Sequence, residues 1–484
     1  MIRRRLSALA ALLLAAGCVT PIEPLGIEGW SRIATPAFTL TGDLEADEMQ
    51  ALASDLALFD AVVRKVTNTR IAGSKVPIRL YVFRDTEEAH RFVPRGASGV
   101  IYPWLDGYFS LLEGGHQAWT RHILLHEYAH FVLMGGRASA LPRWYNEGLS
   151  EYLAYTVRRD DVVVIGRTSA SRIDQIDRFG SVPLDQLFAP PGRWLRNRGA
   201  FYGTSWALLH HFNSSNELRP RSRAFVARLA KGVEWRAAFD ASFDGDVESL
   251  EQSLAAHVAF LRRGGRRDFH LPIDRVDFQE TFEPVAVPPA EIAYELGEVA
   301  RRILGTELDH PYRRVPRALF AQAVAADAEH RRARAALAWC WAADGDFAEA
   351  DFHLAHLGAG APTDPVVALD LARVASLRGA PDVGRLFQAA IELDPDSPNA
   401  YAALGRHQSA TGAYPEAVGS MERARALGGW SPELDLDLAR AYLEVQRRED
   451  ALTLLRPVAA DLHGGETAEE ARELLAELEA EPQG

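Results

Sequence analysis

The sequence has few cysteines, no long apolar run at its start and little clustered positive charge. Only two cysteines, Cys18 and Cys340, occur among 484 residues, so at most one internal disulfide can form. The N-terminal apolar run, Leu6–Ala16, has eleven residues, too few to cross the roughly 30 Å bilayer core as a helix. The formal net charge is −13. With no basic cluster beyond residues 262–267, this charge argues against a nucleic-acid partner.

The N-terminus has the order of an export signal. Three arginines precede the apolar run, and small residues follow it up to Cys18 (MIRRRLSALAALLLAAGC). The junction resembles a bacterial lipoprotein processing site. The resemblance implies that residues 1–18 form the signal and that acylated Cys18 anchors the protein on the periplasmic side of the cell envelope. Val19 favours the outer membrane, and Cys340 would have no partner. A plain secretory signal with an incidental cysteine is the alternative.

Strand and helix patterns alternate from residue 30 to about 262, after a tether at 19–29. PAFTLTG, VPIRLYVF and GYFSLL read as strands, and GYFSLL is expected to be the edge strand that pairs with an extended substrate. TRHILLHEYAHFVLM, WYNEGLSEYLAYTV and FYGTSWALLHHF have helical spacing of apolar residues. A mixed sheet followed by helices predicts an α+β domain. The charged, Pro-rich residues 263–290 read as a linker or docking strap.

Residues 291–484 are rich in Ala and Leu and repeat with a period of 33 or 34 residues. Units begin near residues 331, 364, 398 and 432, and a degenerate unit covers 293–328. The recurring small residues are Ala350, Ala417 and Ala451, and the recurring large residues are Leu354, Phe387, Met421 and Leu455. This pattern resembles the tetratricopeptide repeat (TPR) family, which implies an all-α solenoid of helix pairs that recruits a protein substrate or partner. Asp370 departs from the family's usual leucine, and a generic helical bundle is the alternative.

The densest chemistry lies in HEYAHFVLMGGRASALPRWYNEGLSEY, residues 126–152. His126 and His130 are four residues apart in a predicted helix, so both rings can reach a single ion. Glu127 lies about 100° around the helix axis from His126. It is therefore expected to face a water molecule as a general base rather than to bind the ion.

A third ligand has to come from another element. Gly135-Gly136 and Pro142 let the chain reverse, so the next helix can bring Glu147 to the histidines. Glu151 shares the face of Glu147 and is expected to receive the far ring N–H of a liganding histidine.

HExxH followed by WYNEGLSEY resembles the gluzincin metallopeptidases, in particular the peptidase-MA-like group. The resemblance implies a zincin-like fold with one Zn²⁺. By position, the ligands are His126, His130 and Glu147, the base is Glu127, the outer-shell acid is Glu151, and the oxyanion donor is Tyr202. The aminopeptidases of this group carry a Gly-x-Met-Glu-Asn segment that has no counterpart here, which favours cleavage within peptide chains.

Several alternatives remain at the level of sequence. His122 lies one turn before His126 and is an alternative ligand, although packing beside the site is favoured. Tyr202 also fits a buried tyrosine bonded to backbone. His210 and His211 are expected to cap a helix C-terminus. Trp119, Trp144 and Trp206 are expected to pack in the core.

Two functions follow from these patterns. The first is a zinc-dependent endopeptidase of the cell envelope that acts on proteins or peptides. The second is an envelope adaptor or assembly lipoprotein in which the repeats do the work and the zinc site is structural or inactive.

Overall fold

The computed structural model describes residues 24–67, 78–93, 98–114, 117–134, 141–189, 197–244, 246–303, 314–358, 360–428, 430–460 and 465–480. The chain divides into two compact units, a larger one of Gly29–Val287 with Pro362–Gly484 and a smaller one of Met1–Glu28 with Pro288–Ala361. Cys18 and the Gly135-Gly136 pair lie outside the described residues. None of the helices in these ranges is long and apolar enough to span a membrane.

Two sheets form the β part of the larger unit. Their strands are β1 Ser31–Ala34, β2 Phe38–Gly42, β3 Ile78–Phe83, β4 Gly99–Trp104, β5 Gly107–Glu113, β6 Val157–Arg159, β7 Val162–Ile165, β8 Phe269–Pro272 and β9 Val285–Ala286. The larger sheet has the order β4-β5-β3-β2-β1-β9. In it β3 runs parallel to β2 and β5, and the other neighbours are antiparallel. The smaller sheet, β6-β7-β8, is antiparallel.

The expectation that GYFSLL forms the sheet edge is wrong. β5 pairs with β4 on one side and with β3 on the other, and residues 107–112 are all buried. A largely apolar run, here broken by Ser110, is typical of a strand covered on both faces, which is what an interior position requires. The edge strand is β4, whose six residues are all half-buried.

Ten α-helices lie in the described part of Gly29–Val287. They are α1 Ala46–Thr67, α2 Thr86–Ala89, α3 Gln117–Met134, α4 Arg143–Ala154, α5 Ala170–Phe179, α6 Leu184–Phe188, α7 Arg198–Ser214, α8 Leu218–Leu229, α9 Trp235–Asp240 and α10 Val247–Arg262. In α1 the buried residues Met49, Leu52, Leu56, Phe59 and Val63 recur every three or four positions. This spacing gives the helix one apolar face, which packs on α3 and the large sheet.

Residues 263–290 are not a free linker. β8 pairs with β7 in the small sheet, and β9 pairs with β1 at the end of the large sheet. The Val287 amide then donates to the Trp30 carbonyl oxygen over 2.9 Å. The segment is therefore fixed to both sheets through β8 and β9.

The helices that follow are α11 Pro289–Ile303, α12 Arg314–Ala326, α13 Arg331–Ala343, α14 Phe347–Ala355, α15 Pro365–Leu377, α16 Val383–Leu393, α17 Pro398–Ala410, α18 Tyr414–Leu427, α19 Pro432–Glu444, α20 Arg448–Ala460 and α21 Gly465–Ala480. Consecutive helices pack as pairs. Asp364, Ser397 and Ser431 each cap a helix whose first residue is proline. Such a cap supplies an acceptor for a free N–H, and proline at the first position needs none. The capped helices recur at the predicted period.

Most of the recurring small and large residues are buried in these helix pairs. Ala350, Ala417 and Ala451 are fully buried, as are the large residues Phe387, Met421 and Leu455, whereas Leu354 is half-buried. Asp370, in place of the usual leucine, is also fully buried and pairs with Arg373 at 2.8 Å. The carboxylate is thus accommodated by a cation one turn further along α15, and the helix pair α15–α16 forms around it.

Candidate metal centre

Three helices surround the predicted site. α3 and α4 pack against each other and carry the HExxH and NEG residues. Gly148 allows α4 to approach α7, because a Cβ atom at this position would lie 2.5 Å from the Ser205 carbonyl oxygen. The glycine of the NEG triplet therefore has a steric role, and it brings Tyr202 of α7 toward the acidic face of α4.

The structure brings His126, His130 and Glu147 together. All three are buried, and one ligand atom from each lies within 4.8 Å of the others. The Nε2 atoms of the two histidines are 3.1 Å apart. Glu147 Oε2 lies 3.6 Å from His126 Nε2 and 3.4 Å from His130 Nε2. Within the described residues, no other His, Cys, Asp or Glu side chains form a group of this kind.

The donor atoms of this cluster fit a divalent cation. Two imidazole nitrogens and a carboxylate oxygen are ligands that zinc prefers. The other ring nitrogens are directed elsewhere: His126 Nδ1 lies 3.1 Å from Glu151 Oε2, and His130 Nδ1 lies 3.1 Å from Ser150 Oγ. If both Nδ1 atoms carry the ring proton, the two Nε2 lone pairs face each other beside Glu147, and a cation resolves that repulsion.

The charges around His126 favour a cation at the same place. Burial opposes protonation of the ring, but the carboxylates of Glu147 and Glu151 outweigh it and raise the pKa of His126 to about 10. A metal ion and a proton compete for the same ring nitrogen, so the carboxylates that favour the protonated ring also favour a bound cation.

Glu151 lies at the centre of a network behind the histidines. It accepts from Arg172 Nε of α5 at 2.7 Å, and its carboxylate lies 3.3 Å from His122 Nε2. Burial alone would raise the pKa of Glu151, but hydrogen bonds from His122, His126 and Arg172 lower it below its ordinary value. The residue is therefore ionised and can orient the His126 ring.

His122 thus contacts Glu151 and is not part of the three-residue cluster. This agrees with the prediction that it packs beside the site. Arg172 and Ser150 were missed by sequence reasoning. Ser150 precedes Glu151 in a helix where a serine carries no particular signal. Arg172 lies 21 residues beyond Glu151, past the β6–β7 hairpin, so no local spacing links the two.

Glu127 lies beside the cluster but outside it. A Cβ atom built on Gly99 of β4 would be 3.6 Å from its Cγ atom. Burial raises the pKa of Tyr102 to about 12, and the Glu127 charge contributes to that rise. The Glu127 side chain therefore lies next to the edge strand β4, and its role as a base stays a prediction.

Tyr202 lies on the acidic side of the cluster. The nearby Glu147 carboxylate, burial and then Glu127 raise its pKa above the usual value. The Arg172 guanidinium lies 5.3 Å from its ring centroid. The phenol thus stays protonated and lies near both Glu147 and Glu127.

His210 and His211 do not cap their helix. Both are buried, and they pack against His257 of α10, with His210 Nδ1 2.9 Å from His257 Nε2. Burial lowers the pKa of each to about 4. They are therefore neutral and do not supply the positive charge that a helix C-terminus attracts.

The three tryptophans differ in exposure. Trp144 and Trp206 are core residues as expected, with 2% and 0% of their surface exposed. Trp119 is 45% exposed and stacks on His122 with ring centroids 5.8 Å apart. Its position in the first turn of α3 places it beyond the packed part of that helix, which contradicts the expectation of burial.

An α+β unit with a buried His₂–Glu cluster, continued by capped helix pairs, is therefore the class of molecule that the structure defines. No family model and no curated protein matches the chain. Parts of the chain are similar to solved tetratricopeptide repeat structures.

A TPR protein of Thermus thermophilus is 19% identical, covers 39% of this chain and 98% of its own, and has a TM-score of 0.32. One from Parabacteroides merdae is 12% identical, with 64% and 100% coverage and a TM-score of 0.31. Yeast Tom70 is 13% identical, with 73% of its own chain and 74% of this one covered and a TM-score of 0.31.

Proposed function

We propose that this protein is a zinc-dependent endopeptidase with a repeat part that engages proteins. The observation that supports it best is the convergence of two histidine Nε2 atoms and a Glu147 oxygen, with Glu127 beside them. Repeats of the tetratricopeptide type present extended surfaces to protein partners, which supports an interaction role for the helix pairs.

His126, His130 and Glu147 would hold the ion. When bound, zinc supplies Lewis-acid polarisation of a carbonyl group and lowers the pKa of water to near 7. Glu151 would keep the His126 ring in its liganding orientation, since its carboxylate is 3.1 Å from Nδ1. Ser150 would do the same for His130.

The chain's other side chains would carry the proton steps. Glu127 would accept the proton of the attacking water and pass it to the leaving nitrogen. The Tyr202 hydroxyl would donate to the carbonyl oxygen as negative charge develops there. An extended peptide would lie along β4, whose outer edge pairs with no strand among the described residues.

We also propose the envelope location that the N-terminus predicts, with Cys18 acylated and the protein anchored on the periplasmic side, in the outer membrane. Labelled palmitate should enter the full-length protein and fail to enter the Cys18→Ala variant. No label in either protein would leave only a plain secretory signal, and equal labelling of both would place the acyl group on a residue other than Cys18.

Digestion of unfolded casein by the purified protein lacking residues 1–18 tests the enzymatic proposal. We expect one equivalent of zinc by elemental analysis, digestion that a chelator stops, and about 10²- to 10⁴-fold slower digestion by Glu127→Gln with zinc retained. Equal digestion by Glu127→Gln would exclude Glu127 as the base.

The second candidate is a repeat-based adaptor with a structural or inactive zinc site, and the regular helix pairs of the repeats favour it. In that case the protein retains zinc without digesting casein or a peptide library. Removal of zinc would then lower the melting temperature of the protein and have no effect on peptide digestion.

A further inference from the structure

The turn of the β4–β5 hairpin has an unusual environment. Trp104 pairs with Gly107, so Leu105 and Asp106 form the turn; we call residues 104–107 the hairpin apex. Turns normally lie on the surface because their backbone needs water. Leu105, however, is only 2% exposed. Something beyond the hairpin must cover this leucine.

The last repeats of the same unit provide the cover. Leu105 belongs to the buried apolar cluster formed by α17 to α21, and Trp104 packs against that cluster. The members that α17, α18 and the first turns of α19 contribute are Ala402, Val418, Met421, Ala424, Leu434 and Leu436. A residue more than 290 positions away in the chain thus completes the repeat core.

Gly428 marks the place of contact at the end of α18. A Cβ atom there would lie 2.5 Å from the Leu105 carbonyl oxygen and 3.0 Å from Pro398 Cβ. Its φ of −98° is open to any residue. The glycine is therefore required for space, because the backbone of the hairpin apex lies directly against it.

The other end of β4 lies at the candidate metal centre. A Cβ atom at Gly99 would be 2.4 Å from Ile123 Cγ2 of α3 and 3.6 Å from Glu127 Cγ. β4 has six residues and so spans about 20 Å. One short strand therefore joins the repeats to the side chain proposed as general base.

We propose that the repeats within residues 362–484 hold the hairpin apex and thereby fix the edge strand β4 beside Glu127. Leu105 and Gly428 are positioning residues, since neither lies at the metal centre. The catalytic consequence rests on the proposed peptidase function, whereas the holding of the hairpin does not. The surface that α17 to α19 offer at this point is occupied from within the chain, so a protein partner has to bind elsewhere on the repeats or displace Leu105.

Two glycine variants in the same region test the proposal by hydrogen–deuterium exchange. Gly428→Ala adds a methyl group against the Leu105 carbonyl, whereas Gly419→Ala, within α18, adds one where no atom lies within 4 Å. We expect the amides of residues 99–102 and 104 to exchange at least about tenfold faster in Gly428→Ala. In Gly419→Ala they should exchange at the wild-type rate.

A second pair of variants leaves the repeat backbone unchanged. Leu105→Ser removes the buried side chain, and Leu386→Ser changes a leucine of α16 that is 41% exposed. Faster exchange of the β4 amides in Leu105→Ser, but not in Leu386→Ser, supports the proposal. This result counts even if Gly428→Ala loosens the repeats themselves. Wild-type exchange of β4 in both Gly428→Ala and Leu105→Ser overturns it.

Zinc affinity and hydrolysis separate this inference from the proposed function. The ligands lie on α3 and α4, so zinc affinity should stay within about twofold of wild type in all four variants. If the protein digests peptides, Gly428→Ala and Leu105→Ser should raise KM by about fivefold or more with kcat little changed. If the wild type digests nothing, the peptidase proposal fails and the exchange rates still decide whether the repeats hold β4.

Discussion

α4 at the candidate metal centre and α20 in the repeats bury different kinds of side chain. α4 buries Glu147, Ser150 and Glu151 beside its apolar residues, whereas α20 buries alanine, leucine and valine alone. Buried polar groups need partners, and those of Glu151 come from α3 and α5. The apolar residues of α20 need only neighbours of suitable volume. Local pattern therefore predicts most of the repeat core, which Leu105 completes from a distant position, while Glu151 depends on partners in two other helices.

The most severe test of this contrast removes a proposed ligand. Glu147→Ala should weaken zinc binding by more than about 100-fold, because outer-shell partners alone already account for 10- to 100-fold. Competition with a chromophoric chelator measures the effect. Glu416→Ala, an exposed position on α18, is the matched control and should bind zinc normally. Wild-type affinity in Glu147→Ala would mean that the cluster holds no metal.

A cavity in the repeats should lower stability and leave zinc affinity unchanged. Phe387 of α16 is 2% exposed in a cluster of α15, α16 and α17 side chains. Phe387→Ala should cost about 3–5 kcal/mol of local stability, seen as a lower melting temperature by circular dichroism. Zinc affinity should not change. A parallel loss of zinc binding would show that zinc affinity depends on the stability of the repeats.

Arg172→Met tests the same contrast at the candidate metal centre. The variant keeps the three ligands but removes the charged donor 2.7 Å from Glu151. We expect zinc affinity to fall by about 10- to 100-fold if Glu151 orients His126 as proposed. Arg178→Met, exposed on the same helix, should leave it unchanged. Equal affinities in the two variants would assign Arg172 to helix packing alone.

The sequence predicts those parts of the molecule that depend on local spacing. His126 and His130 are one helical turn apart, and the structure places them together with Glu147. The repeat period appears directly in the capped helices that begin at Pro365, Pro398 and Pro432. In both cases the relevant contacts lie within a helix or between consecutive helices, which is where periodicity carries information.

Non-local pairing accounts for what the sequence does not predict. β4 and β5 are both apolar, and only the pairing of β5 with β3 decides which of them is the edge. β9 has two residues in a Pro-rich stretch, so its pairing with β1 leaves no periodic trace. The ion pair of Arg172 with Glu151 and the burial of Leu105 under the repeats are of the same kind. The role of Cys18 stays a prediction.

The smallest expected effect concerns the buried histidines His210, His211 and His257, which lie outside the ligand cluster. Burial lowers the pKa of His257 to about 3, below the unfolded value of 6.5, with His210, His211 and Arg267 adding to the shift. The unfolded chain therefore binds protons that the folded chain does not, so stability is full above pH 6.5 and declines as the pH falls toward the folded pKa. Between pH 7.5 and 5.5 one such histidine accounts for about 1.4 kcal/mol. His257→Gln should lose that much less stability than the wild type over this range in urea unfolding followed by tryptophan fluorescence, and an equal loss would mean that His257 is protonated in the folded protein.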